Sequence, residues 1–369
     1  MQVPYLSFDA QNALIREQVL AAMAAVFDSK WYILGNYLRS FEEAYAAFSN
    51  TKYCVGVGNG FDALQIALKA LVIGPGDEVI VPSHTFIATW LAVSAVGANI
   101  VPVEPDERTY NITAETIRKV ITSRTKAIIP VHLYGQACDM AAIMSLAAEF
   151  NLQVIEDNAQ AQGATFKGRP TGSFGNLNAT SFYPVKNLGA LGDAGALTTD
   201  SPELAEKARF LQNYGSSQKY HHEVLGVNSR LDELQAAILS QKLPWLNKWN
   251  EERQAIAGRY QAHLSNLPDL VLPVVAPGAT HVYHIFMIRT PRRDALQKYL
   301  AGKGIGTAIH YPIPPHRQKA YAYLGFAPED FPIANLISAT GLSLPLWPGL
   351  TQEKTDYICT EIINFFNQL

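Results

Sequence analysis

From about residue 53 to residue 200, short apolar runs alternate with stretches whose apolar positions recur every three to four residues. The runs at 78–81, 99–103, 127–131, 153–156, 179–182 and 195–198 are mostly β-branched and lie between glycine, proline or aspartate, which predicts strands. Between them, 62–71, 85–96, 114–121 and 140–150 carry helical spacing. The strand runs are continuously apolar rather than alternating, the mark of strands buried on both faces. The expected class is therefore α/β, a mainly parallel sheet between two layers of helices.

A long helical pattern opens near Ser229 and continues past Glu252 towards His263, with Pro244 placed to kink or divide it. Pro268, Pro273 and Pro277 then read as a linker. The remainder, roughly 280–369, has two strand-like runs (282–289 and 307–310) and helices near 292–303 and 351–367, a smaller α+β unit. The expected division is a large domain over 1–250 and a small C-terminal domain over 251–369.

Composition narrows the class. Hydrophobic residues make up 48% and charged residues 17%, so a large core is expected and disorder is not. The net charge of −3 gives no reason to expect nucleic acid or a membrane surface as a partner. No apolar run approaches the roughly 18 residues of a bilayer span, and the start MQVPYLSFDAQ lacks the pattern of a secretory signal. Cys54, Cys138 and Cys359 are too scattered for a disulfide framework or a CxxC metal site; reduced thiols in the cytoplasm and no metal are expected.

In open α/β sheets, ligands collect beyond the carboxyl ends of the strands. Four segments place polar groups there. Gly58-Asn59-Gly60 separates a strand-like start at Val55 from a helix; its backbone N–H groups suit a phosphate, although a plain tight turn would look the same and the spacing is not GxGxxG. Phe86, after a buried strand, offers a flat face to an aromatic cofactor or is ordinary core; His84 has no second metal ligand nearby. Glu156 and Asp157 end an apolar strand. A carboxylate there can hold a pyridinium nitrogen protonated, which lets the ring accept electrons, or Asp157 can cap a helix. Gln160 can reach the same pocket. The fourth segment, NATSFYPVKNLGALGDAG, sets Ser181 and Lys186 just past a strand among Gly189, Gly192 and Gly195. Lysine supplies the amine that a Schiff base requires, and these surroundings are poor ones for a solvated side chain. Asp157 and Lys186 are 186 − 157 = 29 residues apart, room for a loop and the next strand, so both can meet one ring. A reductase-type Tyr183/Lys186 pair is rejected, because that chemistry needs spacing of i and i+4 on a helix, and Pro184 intervenes.

Taken in order, WYILGNYLRSFEEAYA, DNAQAQGA, SFYPVKN, GVNSRLDELQAA, HYPIPPH and SLPLWPGL resemble, nearly end to end, the pyridoxal-phosphate-dependent sugar aminotransferases of the DegT/DnrJ/EryC1/StrS family. The resemblance implies an aspartate-aminotransferase-like fold (fold type I) and a homodimer with shared active sites. It implies pyridoxal 5'-phosphate as cofactor, with Lys186 as the Schiff-base lysine and proton shuttle and Asp157 on the pyridinium nitrogen. Gln160 would contact the ring hydroxyl, and Phe86 would stack on the ring. Asn59 and Gly60 would donate backbone N–H groups to the phosphate and Ser181 its hydroxyl, while Asn228 would reach the phosphate from the neighbouring subunit. The implied substrates are L-glutamate and a nucleotide-linked keto sugar. Tyr183 and Gly192-Asp193-Ala194-Gly195 resemble members acting on carbon 3 of dTDP-3-keto-6-deoxyhexoses; carbon-4 members more often carry histidine at the position of Tyr183, and Ala194 departs from the commoner glycine. Expected substrate contacts are Tyr183, Lys219, His310, Tyr311 and Tyr32. A sugar dehydratase of the same family would more often carry histidine where Lys186 stands, and a regulatory relative could lose Lys186 altogether.

Overall fold

The apolar runs assemble into one seven-stranded sheet. The computed structural model describes residues 1–218 and 220–367. In chain order the first part comprises α1 (Asp9–Ser29), α2 (Asn36–Phe48), β1 (Tyr53–Val57), α3 (Gly60–Ala70), β2 (Glu78–Pro82), α4 (Ala88–Ala95), β3 (Asn99–Val103), α5 (Ala114–Arg118), β4 (Thr125–Ile128), α6 (Met140–Glu149) and β5 (Gln153–Asp157). A small hairpin, β6 (Thr165–Phe166) and β7 (Arg169–Pro170), precedes β8 (Leu177–Ser181), β9 (Gly195–Thr199), α7 (Pro202–Gln212), α8 (Glu233–Lys242) and α9 (Leu246–Leu264). The C-terminal part comprises β10 (Phe286–Arg289), α10 (Arg293–Gly302), α11 (Pro332–Thr340), β11 (Gly341–Leu344) and α12 (Gln352–Asn367).

The sheet order is β1-β9-β8-β5-β4-β2-β3. The pairings from β8 through to β3 are parallel, and β9 runs antiparallel to both its neighbours. Alternation along each strand sends side chains to opposite faces. Val79, Val81 and Ile155 join the core under α3, α4 and α7, while Ile80, Ile128 and Val154 join the one under α5 and α6. A separate core gathers Val3 with residues from Ile256 to Phe366 around the β10–β11 pair. Among the described residues, no helix is long and apolar enough to cross a membrane.

The long pattern from Ser229 is divided at Pro244, which sits in a 3-10 turn, Leu243–Trp245, between α8 and α9. The run at 307–310 is not a strand: Ala308 makes one isolated bridge to Ser343, and the partner of β10 is β11. β11 escapes the apolar-run reading because it has four residues and proline follows at once. Helices α1, α2, α7 and α11 also lie outside the elements that the apolar pattern predicts. In α1 the apolar residues are not gathered on one side: Ile15 and Val19 are buried while Leu14 and Leu20 are exposed. α2 starts without a capping side chain of its own. The buried Glu233 carboxylate of α8 accepts instead from the N–H groups of Gly35 (2.8 Å), Tyr37 (2.9 Å) and Leu38 (3.1 Å), placing negative charge where the helix dipole favours it.

Candidate active site

Strand alternation separates the two acids at the end of β5. Glu156 turns away from the pocket and is fully enclosed. It accepts from His132 Nε2 (2.7 Å) and from the N–H groups of Gly172 (2.8 Å), Phe174 (2.5 Å) and Gly175 (2.9 Å). Cys138 N–H donates to His132 Nδ1, so the ring proton lies on Nε2 and goes to Glu156. Asp157 faces the other way, into a cavity of about 430 Å³ at the carboxyl ends of β5 and β8. Thr89 Oγ1 donates to its Oδ2 (2.9 Å) and Ala159 N–H to its Oδ1 (3.2 Å). Burial pushes its pKa above the usual carboxylate value, although these donors and Lys186 pull the other way.

Lys186 enters the same cavity from the loop between β8 and β9. Lys186 N–H donates to Tyr183 O (2.8 Å) and Ala190 N–H to Phe182 O (2.8 Å), which tightens the loop. A Cβ on Gly189 would lie 2.2 Å from Pro184 O, so only glycine fits there. Gln162 clamps the loop from outside, donating to Ser181 O (2.7 Å) and accepting from Leu188 N–H (3.2 Å). Burial lowers the Lys186 amine from its ordinary 10.5 to about 8, with the Asp157 charge opposing the fall.

The third wall is the start of α3. Asn59 caps this helix with its own side chain, accepting from Asp62 N–H (2.8 Å). Among the described residues, the N–H groups of Gly60 and Phe61 remain available beside the Ser181 hydroxyl. Close approach builds this corner: a Cβ on Gly60 would lie 2.6 Å from Ser181 Cβ, and one on Gly195 2.4 Å from the Asn59 carbonyl carbon.

Tyr134 joins the large sheet to the C-terminal part. Its N–H donates to Gln160 Oε1 (2.7 Å) and its hydroxyl to His310 O (2.5 Å). Because that hydroxyl has a single proton, His84 Nε2 is the donor in the 2.8 Å contact with it. Gln160 Nε2 donates to Tyr311 Oη (3.0 Å), and the Tyr311 ring lies 5.5 Å from the half-exposed Phe86 ring. His310 is held by Ser343 Oγ (2.8 Å).

Asn59, Gly60, Phe86, Asp157, Gln160, Ser181, Tyr183, Lys186, His310 and Tyr311 thus line one cavity. Tyr32 and Asn228 do not. Tyr32 is exposed, its hydroxyl on Phe27 O, and the exposed Asn228 pairs with Asn213, although its neighbour Ser229 bonds Gly58 N–H and Asp62 behind the α3 turn. Lys219 lies outside the described residues. The sequence reading missed Thr89 and His284, which also line the cavity. Thr89 stands one helical turn beyond Phe86, a spacing that could have found it. For His284 the only signal is a histidine at the head of a strand-like run.

The residues present fit pyridoxal phosphate. Among the described residues, buried Asp157 has hydrogen-bond donors but no ion-pair partner within bonding distance, which suits a cationic ring nitrogen. Backbone N–H groups and a hydroxyl at a helix start suit the phosphate.

Sheet order and cavity set the chain among pyridoxal-phosphate enzymes of fold type I. It belongs to the DegT/DnrJ/EryC1/StrS aminotransferase family, which residues 13–363 match. A relative from Streptomyces venezuelae named dTDP-3-amino-3,4,6-trideoxy-alpha-D-glucose transaminase is 50% identical over 96% of this chain and 93% of its own length. Another, from Aneurinibacillus thermoaerophilus, named dTDP-3-amino-3,6-dideoxy-alpha-D-galactopyranose transaminase, is 50% identical over 98% of this chain and 99% of its own. An X-ray crystal structure of S. venezuelae DesV in complex with ketimine intermediate superposes with a TM-score of 0.98 at 47% identity, covering 100% of this chain and 99% of that one. The chain is accordingly a pyridoxal-phosphate-dependent aminotransferase.

Proposed function

We propose that this enzyme transfers the amino group of L-glutamate to carbon 3 of a dTDP-linked 3-keto-6-deoxyhexose. The observation that carries the reading is that Lys186 and the buried Asp157 share one cavity. The relatives' names supply the carbon and the nucleotide.

When bound, the cofactor supplies the electron sink that makes a carbon next to nitrogen acidic. The chain's residues do the rest. Asp157 would hold the ring nitrogen protonated. The α3 N–H groups and Ser181 would hold the phosphate, and Phe86 one face of the ring. Lys186 Nζ takes the substrate proton and returns it. Its lowered pKa suits a proton carrier. With its pKa lowered to about 8 by burial, the free amine gives up its proton more readily than an ordinary lysine does. Leu64, Val131 and Ile285 line the cavity with apolar surface and limit the entry of water.

A homodimer with shared sites belongs to the same proposal. It is supported by exposed apolar side chains at Phe27, Trp31 and Leu225 and by the outward placement of Asn228. Tyr183, His310 and Tyr311 are the proposed sugar contacts within the chain; Tyr32 would act from the neighbouring subunit, and Lys219 would meet the diphosphate. The border near residue 250 is supported by the second core, which apart from Val3 draws its buried residues from Ile256 onward, and a cytoplasmic location by three unpaired, buried cysteines.

The test is incubation with glutamate and a panel of dTDP- and UDP-linked 3-keto and 4-keto sugars, the aminated carbon being read by NMR. Amination at carbon 4, or of UDP sugars alone, refutes the proposal. Lys186→Ala should still bind the cofactor but lose turnover and the borohydride-fixed adduct; normal turnover would refute the role of Lys186.

A further inference from the structure

His284, just before β10, lines the cavity with Lys186. A chain of amides decides which of its nitrogens carries the proton. Asn250 Nδ2 donates to the backbone carbonyl of Gln162 (2.9 Å), so Asn250 Oδ1 is an acceptor. That oxygen receives Asn187 Nδ2 (2.8 Å), which also donates to the carbonyl of Val282 (3.1 Å). Backbone carbonyls only accept, so neither amide can be turned over without losing a bond. Asn187 Oδ1 is therefore an acceptor, and His284 Nδ1, 3.2 Å away, is the donor. The imidazole proton is on Nδ1 and the lone pair on Nε2. Among the described residues, the ring's hydrogen bond runs through Nδ1, and none is made by Nε2. Burial and the Lys186 charge keep a second proton off the ring. The packing around the chain is tight: a Cβ on Gly163 would lie 2.7 Å from Asn250 Nδ2.

We propose that Asn250 and Asn187 fix His284 as an acceptor-only group in the cavity, and that its Nε2 receives a hydroxyl proton of the keto sugar. This rests on the aminotransferase reading above. The choice of substrate follows from charge and donors. Glutamate brings two carboxylates, which a bare lone pair repels, and its amine is committed to the reaction. A hexose brings hydroxyl donors. Because Asn187 adjoins Lys186 in the chain, the group that receives the sugar is held by the same loop that presents the reacting amine.

Two measurements test this. The first is a long-range 1H–15N spectrum of the chain labelled at histidine nitrogens, with and without pyridoxal phosphate, the His284 signals being assigned by their loss in His284→Gln. The expected pattern is a neutral ring protonated at Nδ1 throughout the neutral range. A ring protonated at Nε2, or an imidazolium at pH 7, overturns the proposal, whatever the chain's activity. The second is kinetic. His284→Phe removes the acceptor and should raise KM for the sugar about two- to tenfold more than KM for glutamate, the range set by one neutral hydrogen bond. His284→Gln offers a carbonyl acceptor and should recover part of the loss. Equal changes in both KM values, or no recovery with Gln, overturn it. Should the wild-type chain fail to take an amino group from glutamate, the proposed function falls, while the spectrum still judges the state of His284.

Discussion

Lys242 is the strongest test of how the Lys186 loop is held. It ends α8, is 7% exposed, and donates to Gly189 O at 2.6 Å, three residues beyond Lys186. Among the described residues no carboxylate pairs with it. Burial alone lowers its pKa from the ordinary 10.5 to about 8. At 1.36 kcal/mol per pH step, a buried ammonium of this kind costs the fold about 3 kcal/mol at pH 7. The folded value lies below the unfolded one, so between pH 8 and 10.5 the unfolded chain holds a proton that the folded chain has released, and stability rises with pH across that window. Lys242→Met removes the cost but leaves Gly189 O without its donor, a loss of about 1.5–3 kcal/mol for a charged bond. At pH 7 the two nearly cancel. At pH 10.5 the wild-type amine is neutral, so the variant should be about 3 kcal/mol less favourable, relative to wild type, than it is at pH 7. Turnover should fall at both values, since the loop has lost an anchor. The assay is urea unfolding of both cofactor-free chains at the two pH values, where subtraction cancels the same-signed contribution of Lys186. A stability difference that does not change with pH refutes the reasoning.

Two further substitutions probe the other walls. Gly195→Ala puts a methyl 2.4 Å from the Asn59 carbonyl carbon, so the start of α3 must move; pyridoxal phosphate affinity, followed by absorbance titration, should weaken by roughly tenfold, one lost hydrogen-bonding position being worth about 1.4 kcal/mol, and unchanged affinity would contradict the close-approach argument. Tyr134→Phe strips His310 O and His84 Nε2 of their shared partner at a cost of about 1–3 kcal/mol, which should appear as a lower unfolding temperature together with a raised sugar KM; wild-type values for both would show that the hydroxyl does not hold the 310–311 segment.

What the sequence alone makes legible divides along a physical line. Strands buried on both faces are continuous apolar runs, so the middle of the sheet was legible. The antiparallel turn of β9 was not, because an apolar run carries no direction. Asp157 and Ser181 stand at the ends of such runs, and Lys186 in the loop that follows the second, so they inherit their positions. Alternation along β5 separates Glu156 from Asp157 only once the structure places Ile155 on the α3 side, since the next residue must then face away. Asn228 and Tyr32 show the opposite limit: their proposed work lies in a second subunit, and nothing in a single folded chain brings them to the cavity.

The bonds that hold two histidines of the cavity were hidden for a reason that bears on how the enzyme works. The Tyr134 hydroxyl meets the carbonyl of a residue 176 positions away, and the Asn187 amide meets one 95 positions away. Neither bond leaves a pattern in the chain, because each depends on how the C-terminal part docks on the sheet. The groups they hold are His310 and His284, the proposed sugar contacts. On the proposed assignments, strand ends of the central sheet build the cofactor corner and docking builds the sugar corner. A substitution that loosens the docking should change which sugar is accepted before it changes cofactor binding, because Asp157, Ser181 and the α3 turn are all held within the sheet and its own helices.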